Sequence, residues 1–143
     1  MQIKHILRDK GRDVVTISCE ATLSEAARTL ARKHIGALVV RGTDGAIAGI
    51  LSERDLVQAL SDASVSALAQ SVSAHMSRGV VTCSETDTVD ELMEVMTSRR
   101  IRHLPVVDAG KLMGIVSIGD VVKSCIAETV REAETLRGYI AAG

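Results

Sequence analysis

Apolar positions along this chain switch between two periods, and the switch happens twice. A short β-compatible run, Val14 to Ile17, is followed by Leu23, Ala26, Ala27, Leu30 and Ala31 at helical spacing, with Glu25, Arg28, Arg32 and Lys33 mostly on the opposite face. A β-branched run at Ala37 to Arg41, a turn at Gly42-Thr43-Asp44-Gly45 and a second run at Ala46 to Leu51 predict an antiparallel pair, and a helix follows from Glu53 to about Leu60. The order then repeats. Val80 to Cys83 is the second β-run, Val89, Leu92, Met93 and Met96 mark the second helix, Leu104 to Val107 and Leu112 to Val116 flank the turn Asp108-Ala109-Gly110-Lys111, and a final helix starts at Ile118. Thr22 with Glu25, and Thr88 with Glu91, have capping-box spacing and set the starts of the two earlier helices.

The repetition extends to individual residues. Val15, Thr16, Thr22, Ile35 and Leu38 recur as Val81, Thr82, Thr88, Ile101 and Leu104, and Gly49, Ser52 and Asp55 recur as Gly114, Ser117 and Asp120 with one residue fewer in the intervening turn. The fold class expected is α+β, two β-α-β-β-α repeats related by a pseudo-two-fold and burying each other's apolar faces. Linear boundaries follow: residues 1–66 form the first repeat with an N-terminal lead-in, 67–125 the second with a lead-in helix, and 126–143 a C-terminal helical extension. Ile3, Ile6 and Leu7 are expected to do for the first copy what Val72 and Met76 do for the second, with a short helix near the end of the connector from Ser61 to Ser77. In the final helix Val122, Ile126, Val130, Ala133, Leu136 and Ile140 keep a three-and-four spacing, a stripe that packs either on its own domain or on a second subunit.

Composition narrows the function. With 143 residues and 46% hydrophobic content the chain can bury one proper core but not two ordinary independent ones. The only aromatic residue is Tyr139, so base stacking on aromatic platforms is almost unavailable as a binding device, and 17 basic against 18 acidic residues leave no electrostatic footprint for nucleic acid or an anionic membrane. No apolar run approaches the roughly 20 residues of a membrane span, and Cys19, Cys83 and Cys125, an odd number without metal spacing, suit a reducing cytoplasm. The four histidines are scattered, and Ser52 and Ser117 lack a nucleophile elbow, so no enzyme is expected.

The chemistry that remains is in Gly49-Ile50-Leu51-Ser52-Glu53-Arg54-Asp55 and Gly114-Ile115-Val116-Ser117-Ile118-Gly119-Asp120. Each has a glycine within a strand, which points to close backbone approach, then a hydroxyl at the strand-to-helix junction and a carboxylate three residues on. Ser52 and Ser117 read as N-caps with Asp55 and Asp120 at favourable first-turn positions. The same place is where a phosphorylated ligand finds amide donors.

These motifs, with Ile35 to Val40 (IGALVV) and Ile101 to Val107 (IRHLPVV), resemble a tandem CBS-domain pair, the Bateman module, of the stand-alone bacterial type, over essentially Met1 to Lys123. The resemblance implies a regulatory module that senses adenosine-containing nucleotides in two clefts between the repeats. AMP is the first expectation, with NAD(H), ATP or S-adenosylmethionine as alternatives, and no catalytic cofactor. It assigns Asp55 and Asp120 to the ribose hydroxyls and Ser52 and Ser117 to phosphate. The backbone of Thr16, Ile17, Thr82 and Cys83, and of Ile35, Gly36, Ala37, Leu38, Ile101, Arg102, His103 and Leu104, would frame adenine, with Pro105 next in that run. Arg102 and His103 would face phosphate. It further implies a homodimer built through helices, and output to a separate protein effector or to the module's own oligomer.

The copies differ at the phosphate positions. Gly36 and Ala37 stand where the second copy has Arg102 and His103, Val39 stands for Pro105, and Arg54 for Gly119, so unequal occupancy is expected. A structural dimer with degenerate clefts and a nucleotide-acting enzyme are the competing classes.

Overall fold

The computed structural model describes residues 1–142; Gly143, the last residue of the extension expected at 126–143, lies outside the described residues. The chain forms two compact units, one made of Val14–Val81 and the other of Met1–Asp13 together with the chain from Thr82 onward. We call them the first-repeat and second-repeat units. The first contains β1 (Thr16–Ser18), α2 (Leu23–Lys33), β2 (Ala37–Arg41), β3 (Ile47–Ser52) and α3 (Glu53–Ala63), then two 3-10 turns at Ser64–Ala69 and Val72–Ala74. The second contains α1 (Ile3–Lys10), α4 (Val89–Arg99), β4 (His103–Asp108), β5 (Lys111–Ser117) and α5 (Ile118–Ala142).

In the first-repeat unit β1 pairs parallel with β2, and β2 pairs antiparallel with β3. Its core is Leu23, Ala26 and Leu30 from α2, Leu38, Val40 and Leu51 from the sheet, Ala59 from α3, and Ala67, Val72 and Met76 from the connector. The connector is thus packed structure, and the short helix expected near its end is the 3-10 turn Val72–Ala74.

The second-repeat unit keeps the antiparallel pair but not the first strand. The run expected at Val80 to Cys83 shrinks to a single parallel bridge, Cys83 with Val106. The cause is one substitution between the copies. Val39 donates its amide to the Val15 carbonyl at 3.4 Å, and its counterpart Pro105 has no N–H to give Val81. Only the bonds flanking that position form, Cys83 N to Pro105 O at 3.0 Å and Val107 N to Cys83 O at 2.9 Å. The capping boxes also diverge. Thr22 and Glu25 make both arms, whereas Thr88 accepts from the Glu91 amide without the return bond. The turn of the second copy is a two-residue one, with Ala109 at φ 49° and Gly110 at φ 78°, both left-handed as a type I′ hairpin requires.

The lead-ins are exchanged relative to the linear boundaries 1–66 and 67–125. Val89 N bonds Met1 O at 2.8 Å, Ile3 N bonds Asp87 O at 2.9 Å and Lys4 N bonds Glu85 O at 3.0 Å. The first-repeat unit makes the same three bonds with the connector: Leu23 N to Gln70 O at 3.0 Å, Val72 N to Ala21 O at 2.8 Å and Ser73 N to Cys19 O at 3.0 Å. Ile3 and Val72 are therefore true counterparts, but each serves the repeat it does not directly precede. Ile3, Ile6 and Leu7 are buried within the second-repeat unit, and Arg12 pairs with Glu85 there.

The strand glycines are explained by these lead-ins. A Cβ on Gly49 would sit 2.6 Å from the Ser77 carbonyl oxygen and 2.8 Å from Met76 Sδ, and one on Gly114 would sit 2.7 Å from Leu7 Cδ2. The close approach is protein against protein, so the glycines carry no evidence about a ligand.

On α5 the buried positions are Val121 and Ser124. The apolar stripe faces outward instead, with Val122 39%, Ile126 59% and Val130 49% exposed. Packing of that stripe on its own unit is therefore excluded. On α3 the counterpart of Val122, Val57, is exposed too.

Candidate functional site

Within each unit the hairpin brings the two motif segments together. Ala37 pairs with Ser52 across β2 and β3, and His103 with Ser117 across β4 and β5, so the residues before the first hairpin strand lie beside the start of the following helix. A backbone bond locks the junction in both: Glu53 N to Gly36 O at 3.0 Å, and Ile118 N to Arg102 O at 2.8 Å. Gly36-Ala37 is thereby set against Ser52–Asp55, and Arg102-His103 against Ser117–Asp120. The β1 segment joins the first of these, with Thr16 beside Val39 in the parallel ladder.

The cap and the acceptor are the same groups. Asp55 Oδ2 accepts from Ser52 N at 2.8 Å and Ser52 Oγ at 3.1 Å, while Asp55 N donates to Ser52 Oγ at 3.3 Å. Ser117 N donates to Asp120 Oδ2 at 2.9 Å and Asp120 N to Ser117 Oγ at 3.2 Å. The helix-start amides of Ser52, Glu53 and Asp55, and of Ser117, Ile118 and Asp120, are thus engaged inside the motif. The donor array that a bare helix N-terminus offers an anion is reduced to the amides of Arg54 and Gly119.

Side-chain access sorts the remaining residues. Leu38, Leu104 and Pro105 are buried in the core, as is Ala37, so they can present only backbone. Cys83 is buried as well, and its amide and carbonyl are both spent on β4. Burial, assisted by the nearby Asp87 carboxylate, pushes the Cys83 thiol up to about 12, so it is an inert thiol at neutral pH. Arg54 and Arg102 are exposed, as are Thr16 and Thr82. Ile17, Ile35, Gly36, Ile101 and His103 are half-buried.

The two aspartates differ in their surroundings. Lys10, at the end of α1, donates to Asp120 Oδ2 at 2.6 Å and to the Ile115 carbonyl at 3.0 Å. Burial pushes the Asp120 carboxyl up, but the Lys10 hydrogen bond, the Ser117 amide, the Lys10 charge and the Ser117 hydroxyl together outweigh it and hold the group below its ordinary value. The other lead-in offers no equivalent of Lys10, because beyond Met76 it leaves the helical path and Ser77 pairs with Ile50, whereas α1 runs on to Lys10. Among the described residues no group of three or more His, Cys, Asp or Glu could hold a metal ion, and no helix is long and apolar enough to cross a membrane.

The doubled motif has a family counterpart over most of the chain: the CBS-domain profile matches residues 3–62 and again 70–127. The chain belongs to the CBS-domain family. It carries a tandem CBS pair, and solved structures of such pairs share its fold. A CBS-domain containing protein of Agrobacterium tumefaciens is 50% identical, with a TM-score of 0.83 over 85% of this chain and 91% of that one. The CBS domain pair of protein MJ0100, in complex with 5-methylthioadenosine and S-adenosyl-L-methionine, is 26% identical with a TM-score of 0.79, over 90% of this chain and 98% of that one. A CBS domain protein from Pyrobaculum aerophilum complexed with AMP is 28% identical with a TM-score of 0.75, covering 84% of this chain and 89% of that one.

Against the CBS motif, the residue that sequence reasoning missed is Lys10. In one dimension it reads as part of the lead-in to the first repeat, whereas its partner Asp120 belongs to the second. The signal that finds it is which repeat each lead-in serves, visible only once the exchanged hydrogen bonds are known.

Proposed function

We propose that this CBS pair is a regulatory sensor of adenosine-containing nucleotides, with AMP as its first ligand. The observation that carries the reading is the convergence, in each unit, of the hairpin entrance with a serine-capped helix start bearing Asp55 or Asp120. Support comes from the adenosine ligands held by the two related CBS structures. In this reading the ribose hydroxyls donate to the two aspartates. The backbone of Thr16, Ile17, Thr82, Ile35, Gly36, Ala37, Leu38, Ile101 and Leu104 meets the base, and Arg102, His103, Arg54, Ser52 and Ser117 meet phosphate. NAD(H) and ATP share the adenosine and are separated from AMP by the same titrations.

A carboxylate that accepts from a ribose diol loses a charge-assisted partner when one hydroxyl is missing, which weakens binding by about ten- to a hundred-fold. Calorimetric titration with AMP and 2′-deoxy-AMP measures this. Equal affinities would leave Asp55 and Asp120 as helix caps and sink the ribose assignment.

Output passes to a protein effector or to a second copy of the chain. The outward apolar residues of α5 and Val57 of α3 support a homodimer, since a stripe of that size in water favours a cover. Light scattering should return twice the 15.2 kDa chain mass, and Ile126→Glu with Val130→Glu should return one chain mass. A single-chain mass for the unaltered protein overturns the dimer. The three unpaired cysteines support a reducing cytoplasmic setting.

A further inference from the structure

We propose that Lys10 is a built-in competitor for the ribose site of the second-repeat unit, making adenosine binding at Asp120 weaker than at Asp55. The inference rests on the nucleotide reading above. Its basis is geometric: the Lys10 ammonium sits 2.6 Å from Asp120 Oδ2, the same oxygen that takes the Ser117 amide, and is held there by a second bond to the Ile115 carbonyl.

A ribose diol engages a carboxylate by giving one hydroxyl to each oxygen. Each aspartate has two donors on Oδ2, but at Asp55 the second is the Ser52 hydroxyl, which can rotate away, whereas at Asp120 it is the Lys10 ammonium, a cation that a neutral diol must displace. At Asp55 both donors come from Ser52, within the cap, and the other lead-in brings no lysine there: after Met76 it leaves the helical path and Ser77 pairs with Ile50. The side chains of Lys10 and Asp120 are 35% and 25% exposed, so the pair is partly open to water and to salt. It is therefore a contact that a ligand can break, not a sealed internal ion pair. The lead-in exchange gives this a structural meaning. Lys10 ends α1, and Gly11, with φ 97°, follows at once, so release of the ammonium detaches the end of an element that is otherwise fixed by Ile3 and Leu7.

The experiment uses the full chain and adenosine, a neutral ligand whose affinity carries no phosphate contribution. Amide shifts of Arg54 and Gly119, measured by 15N NMR, report the two motifs separately. Replacing the competitor, Lys10→Met should tighten binding at Gly119 by about three- to ten-fold and leave the Arg54 motif unchanged. Raising salt should tighten adenosine at Gly119 in the unaltered chain, because the ion pair is screened, and should have no such effect in Lys10→Met. Asp120→Asn, which keeps an amide oxygen for the cap, should abolish the effect of Lys10→Met. If Arg54 reports binding while Lys10→Met leaves Gly119 unchanged or weaker, the competitor role is wrong and the nucleotide reading stands. If neither motif responds to adenosine or AMP in either chain, the nucleotide reading fails and the competitor role fails with it.

Discussion

A chain carrying Ile3→Ala and Leu7→Ala will lose hydrogen-exchange protection across residues 82–126, far away in sequence, while residues 14–81 stay protected. Ile3 is 0% and Leu7 1% exposed, and both lie inside the second-repeat unit. Each truncation removes a fully buried large side chain, at a cost of about 2–5 kcal/mol when the cavity does not collapse. The two sites lie one helical turn apart, so the losses overlap and the sum is an upper bound. Even so, the total is a large part of the roughly 5–15 kcal/mol that holds a typical domain folded. Exchange measured by mass spectrometry resolves the two stretches. Protection lost first between residues 14 and 60 would restore the linear division into 1–66 and 67–125.

Adding one methyl group to the strand glycines will separate them. Gly49→Ala should destabilise the protein by about 3 kcal/mol or more, and Gly114→Ala by about 1–2 kcal/mol, read from urea midpoints. At Gly49 the new Cβ meets the Ser77 carbonyl oxygen at 2.6 Å, and that oxygen is held by a bond from Ile50 N at 3.0 Å. It cannot turn aside. At Gly114 the nearest atoms are the Cδ2 and Cδ1 ends of Leu7, at 2.7 and 3.1 Å, which can rotate. Combining Leu7→Ala with Gly114→Ala should therefore give less than the sum of the two losses by at least about 0.5 kcal/mol, whereas Met76→Ala should leave most of the Gly49→Ala loss in place, since the Ser77 carbonyl oxygen remains. Equal losses at the two glycines, or full relief of Gly49→Ala by Met76→Ala, would contradict this packing.

Much of the repeat was legible because periodicity reports which face of an element is buried. The strand Ala37–Arg41 and the starts of α2 and α4 at Thr22 and Thr88 follow directly from that pattern and from cap chemistry. The missing strand before Cys83 was legible in principle. Pro105 was visible as a departure from Val39, but its missing amide matters only once the partner, Val81, is known. Ownership of the lead-ins was not legible, since an apolar face specifies that it must be covered and not by which repeat. The glycines were read as marking close backbone approach, and that need shows in one dimension, whereas the approaching group, Ser77 with Met76 or Leu7, does not. At the candidate site the convergence of Gly36-Ala37 with Ser52–Asp55, and of Arg102-His103 with Ser117–Asp120, was implied by strand pairing. The cation at Asp120 was missed because it arrives from the exchanged segment.

The exchange also dictates an order of events during synthesis. The first-repeat unit is continuous in sequence and can close as soon as Val81 has left the ribosome, with its own lead-in, Ser71 to Met76, already made. The N-terminal helix is translated first and satisfied last. Ile3, Ile6 and Leu7 must remain uncovered until the stretch after Thr82 emerges to receive them, with the whole of the other unit spanning the closing loop. For that interval the nascent chain exposes a short apolar helix beside a finished, homologous fold whose own lead-in place is already taken by Val72 and Met76. With that place filled by the connector, the first-repeat unit offers the waiting segment no lead-in site.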